Sequence, residues 1–300
     1  SIPKNTWAVN AYLEIGLKEL HPELTLMWLT DPDHTAHAFG IGAPETERAL
    51  REVDLLIGRI LERHRELGLE NRVNIMVTSD HGFSTLDGQA KLDQLLEKHH
   101  LDEALVEVDG RTIYLKPYDE KRLRSIVSML QIEPSVGAIF TRAEKEGSLY
   151  GRAPGTFSFD AIHWSHERAG DIHVSPNWND KPNEYGYRGH TAWGSVAGHG
   201  SSSPFDIHNT LIMSGPDFKR SRRIKTPSSN VDILPTVCFL QGVTFPEKRG
   251  SRVLHEALVE GPDPELMEFE TRSHFTEAGA YRLELNESIV EGRRYLNFTK

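Results

Sequence analysis

Val77-Thr78-Ser79-Asp80-His81-Gly82-Phe83 decides how the rest of the chain is read. The apolar run Val73–Val77, with Asn74 inside it, stops abruptly at an Asp-His pair followed by Gly. A buried strand of an open α/β sheet delivers ligands to its carboxyl edge in this way. Asp supplies a hard oxygen and His a borderline nitrogen, a pairing suited to zinc or manganese. Gly82 leaves room for the backbone to turn away from the site.

Upstream, Asn5–Leu20 carries an apolar helical face and ends at His21-Pro22. Leu24–Leu29 reads as a second buried strand, leaving through Thr30-Asp31-Pro32-Asp33-His34-Thr35-Ala36-His37. Pro44 opens a further amphipathic helix that runs to Gly68. The order helix, strand, helix, strand predicts parallel neighbours joined by a crossover.

Between residues 91 and 188 the pattern shortens. Helical stretches at Leu92–Lys98 and Glu120–Leu130 alternate with strand-like pieces at Leu105–Val108, Thr112–Lys116, Val136–Phe140 and Asp171–Val174. His163, Trp164, His166, His173 and Trp178 fall in this segment and are expected to be structural. The longer pattern returns with Gly198-His199-Gly200, a strand at Asn209–Met213 and a helix from Asn230 to Gly242. Tyr281–Leu285 and Arg294–Phe298 alternate as a terminal hairpin does. The expected fold is α/β: an open, mostly parallel sheet with helices on both faces and an inserted α+β cap. Residues 1–90 and 189–262 form its metal-binding core, 91–188 the cap and 263–300 a C-terminal β-hairpin extension.

Composition limits the function. A chain of 300 residues with 38% hydrophobic content can bury a large core. A formal charge of −10 argues against binding a nucleic-acid polymer. No apolar run has the roughly 20 residues of a membrane helix. The one cysteine, Cys238, lies in an apolar stretch and is expected in the core, so no intrachain disulfide can form. Ser1-Ile2-Pro3-Lys4 shows no leader pattern and reads as a start in mid-protein.

Three strand exits supply ligand types: Asp33 with His37 four residues later, Asp80 with His81, and His199 between two glycines. Two carboxylates and three imidazoles suit a two-metal site better than a closed structural zinc. The segments Asp-Pro-Asp-His-Thr-Ala-His (31–37), Thr-Ser-Asp-His-Gly-Phe (78–83), Ala-Gly-His-Gly (197–200) and Val-Asp-Ile-Leu-Pro-Thr (231–236) carry a family resemblance. They resemble the alkaline phosphatase superfamily, in its type I phosphodiesterase/nucleotide pyrophosphatase branch. The resemblance spans nearly the whole chain and is weakest in the cap and the C-terminal hairpin.

The resemblance implies a metal-dependent phosphoric ester hydrolase with two divalent ions, zinc first and manganese second. Asp33, His37 and His199 would hold one ion. Asp80 and His81 would hold the other, together with an earlier Asp and a Thr or Ser nucleophile. Those last two have no match here, so the chain resembles the C-terminal two-thirds of such an enzyme, inactive alone. Ser79 and Ser201–Ser203 lack the strand-turn-helix setting of a nucleophile. Asp31, His34 and His190 are nearby candidates for ligand support or substrate contact. A phosphoglycerate mutase or sulfatase relative and a non-catalytic metal-binding domain are the alternatives. The substrate is a small phosphate ester; nucleotide, phospholipid, phosphonate and phosphomonoester all fit, because cap shape selects among them.

Overall fold

In the computed structural model of the chain, residues 2–89, 91–99, 106–246 and 250–300 are described. Helix α1 (Ile2–Ala11) runs directly into a π-helical stretch, Tyr12–Leu20, as the apolar pattern anticipates. Helix α2 (Asp33–Phe39) and the long α3 (Pro44–Glu66) follow, α3 beginning at its expected proline. Next come β1 (Ile75–Thr78), β2 (Ser84–Gln89), α4 (Leu92–Lys98), β3 (Val106–Asp109) and β4 (Thr112–Leu115). Residue 105, where the strand leading into β3 was expected to begin, lies outside the described residues. Helix α5 (Glu120–Leu130) is capped by Asp119, whose carboxylate accepts from the Arg122 N–H. Its Leu123, Ile126, Val127 and Leu130 are buried at helical spacing.

The chain continues with β5 (Val136–Thr141), β6 (Phe157–Ser158), β7 (Ile172–Pro176), β8 (Trp178–Pro182), β9 (Arg188–Trp193) and β10 (Ala197–Gly198). Then follow the short α6 (Pro204–Ile207), β11 (Leu211–Ser214) and α7 (Ile233–Leu240). The C-terminal strands are β12 (Glu270–Ala278), β13 (Tyr281–Val290) and β14 (Arg293–Thr299).

The chain is α/β, and its strands form four sheets among the described residues. Strands β2 and β9 pair in parallel, as do β5 and β6. Strand β1, which leads into Asp80-His81, pairs antiparallel with β11. The parallel neighbour expected for β1, Leu24–Leu29, forms no ladder among the described residues. It is extended but one-sided. Met27 and Leu29 pack against Val9, Leu13 and Leu56, whereas Leu26 and Trp28 are 95% and 69% exposed. An apolar run signals burial, but a strand also needs a partner for its N–H and C=O groups.

The 92–193 stretch holds the largest core, where α4 and α5 pack on the five-stranded sheet β3-β4-β7-β5-β6. The C-terminal extension contains the expected hairpin, β13 with β14, and adds β12 as a third antiparallel strand. Its Leu283 and Leu285 pack onto Phe140, Phe157 and Phe159. The Trp178 indole also donates to the Thr299 carbonyl at 2.6 Å. Cys238, expected in the core, is only partly buried in α7. No helix among the described residues is long and apolar enough to cross a membrane.

His173 on β7 is structural, as expected. Its ring stacks on Trp164 with centroids 5.3 Å apart, and its Nδ1 lies 3.0 Å from the Thr112 hydroxyl. Burial, with the nearby Arg111 charge adding to it, pushes its pKa down to about 4. In the unfolded chain the same ring takes its proton near pH 6.5. Between those values the unfolded state binds more protons, so stability falls as pH drops through that window, by up to about 3 kcal/mol. Urea unfolding at pH 7 and pH 4.5 should show this loss, and His173→Gln should reduce it. An unchanged loss in the variant would assign it to another group.

Candidate metal centre

Asp33 is the first residue of α2, and His37 lies one turn on, so both side chains share a helix face. Asp80 and His81 follow β1 directly, and His199 follows β10. The fold brings these ends together. Single ligand atoms of Asp33, His37 and His199 all lie within 4.8 Å of one another. Asp33 Oδ1 is 3.4 Å from His37 Nε2, 3.6 Å from His199 Nε2 and 3.8 Å from His81 Nε2. Asp80 Oδ2 is 3.3 Å from the same His81 nitrogen, on a half-exposed side chain.

Two rings have their tautomer set from behind. His37 Nδ1 lies 3.0 Å from the Ala197 carbonyl, and His81 Nδ1 lies 2.9 Å from the Gly82 carbonyl. Each Nδ1 must carry the proton to donate to a carbonyl, which leaves the Nε2 lone pair facing Asp33. Burial lowers the His199 pKa, and the adjacent His81 lowers it further. The His81 and His199 rings stack at 3.4 Å with 13° between their planes, which further opposes charging both. Phe83 closes one side, edge-on to His37 at 4.9 Å and to His199 at 5.4 Å.

The result is an unsatisfied centre. Asp33 Oδ1 is buried and has no hydrogen-bond partner. A carboxylate oxygen surrounded by imidazole lone pairs is repulsive unless a cation lies among them. A borderline divalent ion fits this mixed oxygen and nitrogen set.

The loop bearing His199 is fixed by a buried carboxylate. Asp206 Oδ2 accepts from the Ser201 N–H at 2.8 Å and from its hydroxyl at 2.6 Å, and Oδ1 accepts from the Ser84 hydroxyl. Ser203 caps α6 by accepting from the Asp206 N–H. Arg111, from the β3–β4 turn, donates to the His199 carbonyl at 3.1 Å. Neither Asp206 nor Arg111 lies in a recognisable ligand pattern. Only the position of Asp206, shortly after a Gly-His-Gly loop, hints at its part.

The remaining sequence candidates separate. Asp31 is buried and accepts from the Thr35 hydroxyl at 2.7 Å, bracing the first turn of α2. His34 is exposed on that helix. His190, on β9, pairs with Asp87 of β2 at 2.6 Å.

Gly82 has a different role from the one the motif suggests. It needs no unusual turn. Its N–H donates to the Asp206 carbonyl at 2.7 Å, and a Cβ there would lie 2.0 Å from the Phe205 carbonyl oxygen. The glycine lets the Asp80-His81 loop lie directly on α6.

Residues 4–197 match the sequence model of a family described as type I phosphodiesterase/nucleotide pyrophosphatase. Rat ectonucleotide pyrophosphatase/phosphodiesterase family member 1 is 24% identical over 242 residues, which is 79% of this chain and 25% of that protein. The mouse bis(5'-adenosyl)-triphosphatase is 24% identical over 231 residues, 76% of this chain and 46% of that protein. Among solved structures, human ectonucleotide pyrophosphatase/phosphodiesterase 5 superposes with a TM-score of 0.59 at 18% identity, over 87% of this chain and 64% of that one. An inactive form of the murine protein, solved with AMP, gives 0.57 over 83% and 61% at the same identity. The chain thus spans less than half the length of these two curated relatives.

The close approach at Gly82 makes a direct test. Gly82→Ala should destabilise the chain by roughly 2–4 kcal/mol, because the obstacle is backbone and cannot rotate away. Denaturant unfolding measures the loss, and a change below about 0.5 kcal/mol would contradict the contact.

Proposed function

The chain belongs to the type I phosphodiesterase/nucleotide pyrophosphatase family, a branch of the alkaline phosphatase superfamily, and we propose that it carries the metal-holding part of a phosphoric ester hydrolase. The orphaned Asp33 oxygen among three imidazole nitrogens carries the reading. Asp33, His37 and His199 would hold one ion, and Asp80 with His81 would contribute to a second. Zinc suits the donor set best, with manganese next. Such ions, when bound, offset the negative charge on a transferring phosphoryl group.

The protein's own groups prepare that site. The Ala197 and Gly82 carbonyls accept from Nδ1 of two imidazoles and so aim each Nε2 at the centre. Phe83 walls off one flank, where a drier environment strengthens electrostatic contacts. The serines near the site are committed elsewhere. Ser79 accepts from the Thr210 N–H, Ser201 donates to Asp206, and Ser202 shares its hydroxyl with Ser175 and Thr299. These bonds support a Thr or Ser nucleophile supplied from outside this chain. Exposed Trp7, Leu26, Trp28, Ile212 and Leu234 offer apolar surface for such a part to cover. The substrates would be small phosphate esters, nucleotides among them, as the AMP held by the murine relative suggests. The engaged serines also favour a second reading, a metal-binding domain without catalysis.

Zinc titration by calorimetry should find one tight and one weaker ion. His37→Ala should cost the tight ion roughly a hundredfold or more in affinity, whereas His81→Ala should weaken chiefly the other. Wild-type affinity in His37→Ala would overturn the assignment. The zinc-loaded chain alone should not turn over bis(p-nitrophenyl) phosphate. Rapid hydrolysis would place a nucleophile within these 300 residues.

A further inference from the structure

The last residue of β14, Thr299, is buried against the loop that follows His199. We propose that this strand end is a clamp on that loop, with Thr299 as a positioning residue that acts through Ser202 to set how tightly the centre holds its ion. The role depends on the metal-centre reading above and extends it, by assigning control of the centre to the C-terminal sheet.

His199 needs anchors outside its own segment. It stands between Gly198 and Gly200, and Gly200 takes φ +90, which only glycine adopts without strain. Two flanking glycines leave the His199 backbone unrestrained unless both sides are tied. Upstream, Ala197 and Gly198 pair with Thr85 and Ser84 of β2. Downstream, Asp206 takes Ser201, and the next residue, Ser202, is held by β7 and β14.

The Ser202 N–H and hydroxyl donate to Ser175 Oγ, each at 2.8 Å. Its single hydroxyl proton is then spent, so in the bond between the Ser202 and Thr299 hydroxyls Thr299 is the donor. The Thr299 N–H also donates to the Ser202 carbonyl at 3.0 Å, which makes the contact two-pronged. Ser175, Ser202 and Thr299 are all buried. A buried hydroxyl that loses its partner is costly, so the loop shifts to recover one.

A second contact reaches α6. Trp178, whose indole N–H donates to the Thr299 carbonyl, sits edge-on to Phe298 and to Phe205, each with centroids 6.1 Å apart. Lys300 places its ammonium 4.9 Å from the centre of a Trp178 ring. Phe205 belongs to α6, whose Asp206 holds Ser201. The strand end therefore grips the segment 201–206 at two points, and His199 is carried by that segment. The sheet itself is held elsewhere, where Leu283 and Leu285 pack on Phe140, Phe157 and Phe159. Losing one hydroxyl at Thr299 would loosen the loop without releasing the sheet. Ligands have to be held within about 0.5 Å of their working positions, so such loosening reaches the ion.

Zinc affinity, measured by competition with a chelator, and the visible spectrum of the cobalt(II)-loaded chain read the centre without requiring turnover. Thr299→Val keeps the side-chain shape and removes the hydroxyl, whereas Thr299→Ser keeps the hydroxyl. Ser273→Ala removes an exposed hydroxyl from β12 as a control. Thr299→Val should weaken zinc about fivefold and alter the cobalt bands, because it acts one step behind the groups that orient His199. Thr299→Ser and Ser273→Ala should stay within about twofold of wild type. In the metal-free chain, the amides of Ser201, Ser202 and Ser203 should exchange about tenfold faster in Thr299→Val, with those of Leu283 and Leu285 unchanged. Wild-type zinc affinity and cobalt spectrum in Thr299→Val would overturn the clamp and leave the centre standing, as would Thr299→Ser binding no tighter than Thr299→Val. Equal acceleration of exchange at Leu283 and Leu285 would make Thr299 a support for the whole sheet and also overturn the clamp. A wild-type chain that binds neither ion would overturn the metal-centre reading, and this role with it.

Discussion

One buried carboxylate oxygen, Asp33 Oδ1, faces three imidazole nitrogens and hydrogen-bonds to none of them. Proteins rarely tolerate such an atom, because its desolvation is not offset by any partner. Protonating a histidine would offset it, yet burial lowers the His199 pKa. The Ala197 and Gly82 carbonyls accept from Nδ1 of His37 and His81 and turn each Nε2 toward the oxygen. The arrangement thus fits the cation proposed for it, whose binding would offset the cost of that unpartnered oxygen.

The rest of the structure keeps that oxygen where it is. Helix α2 aligns Asp33 with His37, β1 carries Asp80 and His81 to the same edge, and the loop after β10 brings His199. Asp206 ties that last loop to Ser84 and Ser201, while Gly82 lets the β1 exit rest on α6 without a side chain between them. Backbone carbonyls and a buried acid thus do as much to define the centre as the ligand types do. The largest core lies elsewhere, under the five-stranded sheet, which steadies the hairpin that aims Arg111.

Local signals made much of this legible. Helix α3 shows its proline start and its apolar spacing, and α4 and α5 fall where the sequence pattern puts them. The five ligand-type residues stand at strand exits or helix starts, where residue type and position together point to metal chemistry. What stayed hidden depends on partners distant in sequence. Leu24–Leu29 has strand composition but no ladder, so its even-numbered side chains face outward. Strand β12 is mostly polar and exposed, and only its pairing with β13 reveals it. Arg111 belongs to no motif, and its meaning comes from a turn that sets it against His199. His190 looked like a companion of the ligands but is engaged by Asp87 through the β2–β9 pairing.

Anomalous diffraction at the zinc edge from crystals of the zinc-loaded chain tests the central claim most directly. The account predicts an ion bound by Asp33 Oδ1 and by Nε2 of His37 and His199, each at about 2.0–2.2 Å. An anomalous peak elsewhere, or these three side chains left unligated at saturating zinc, would contradict it.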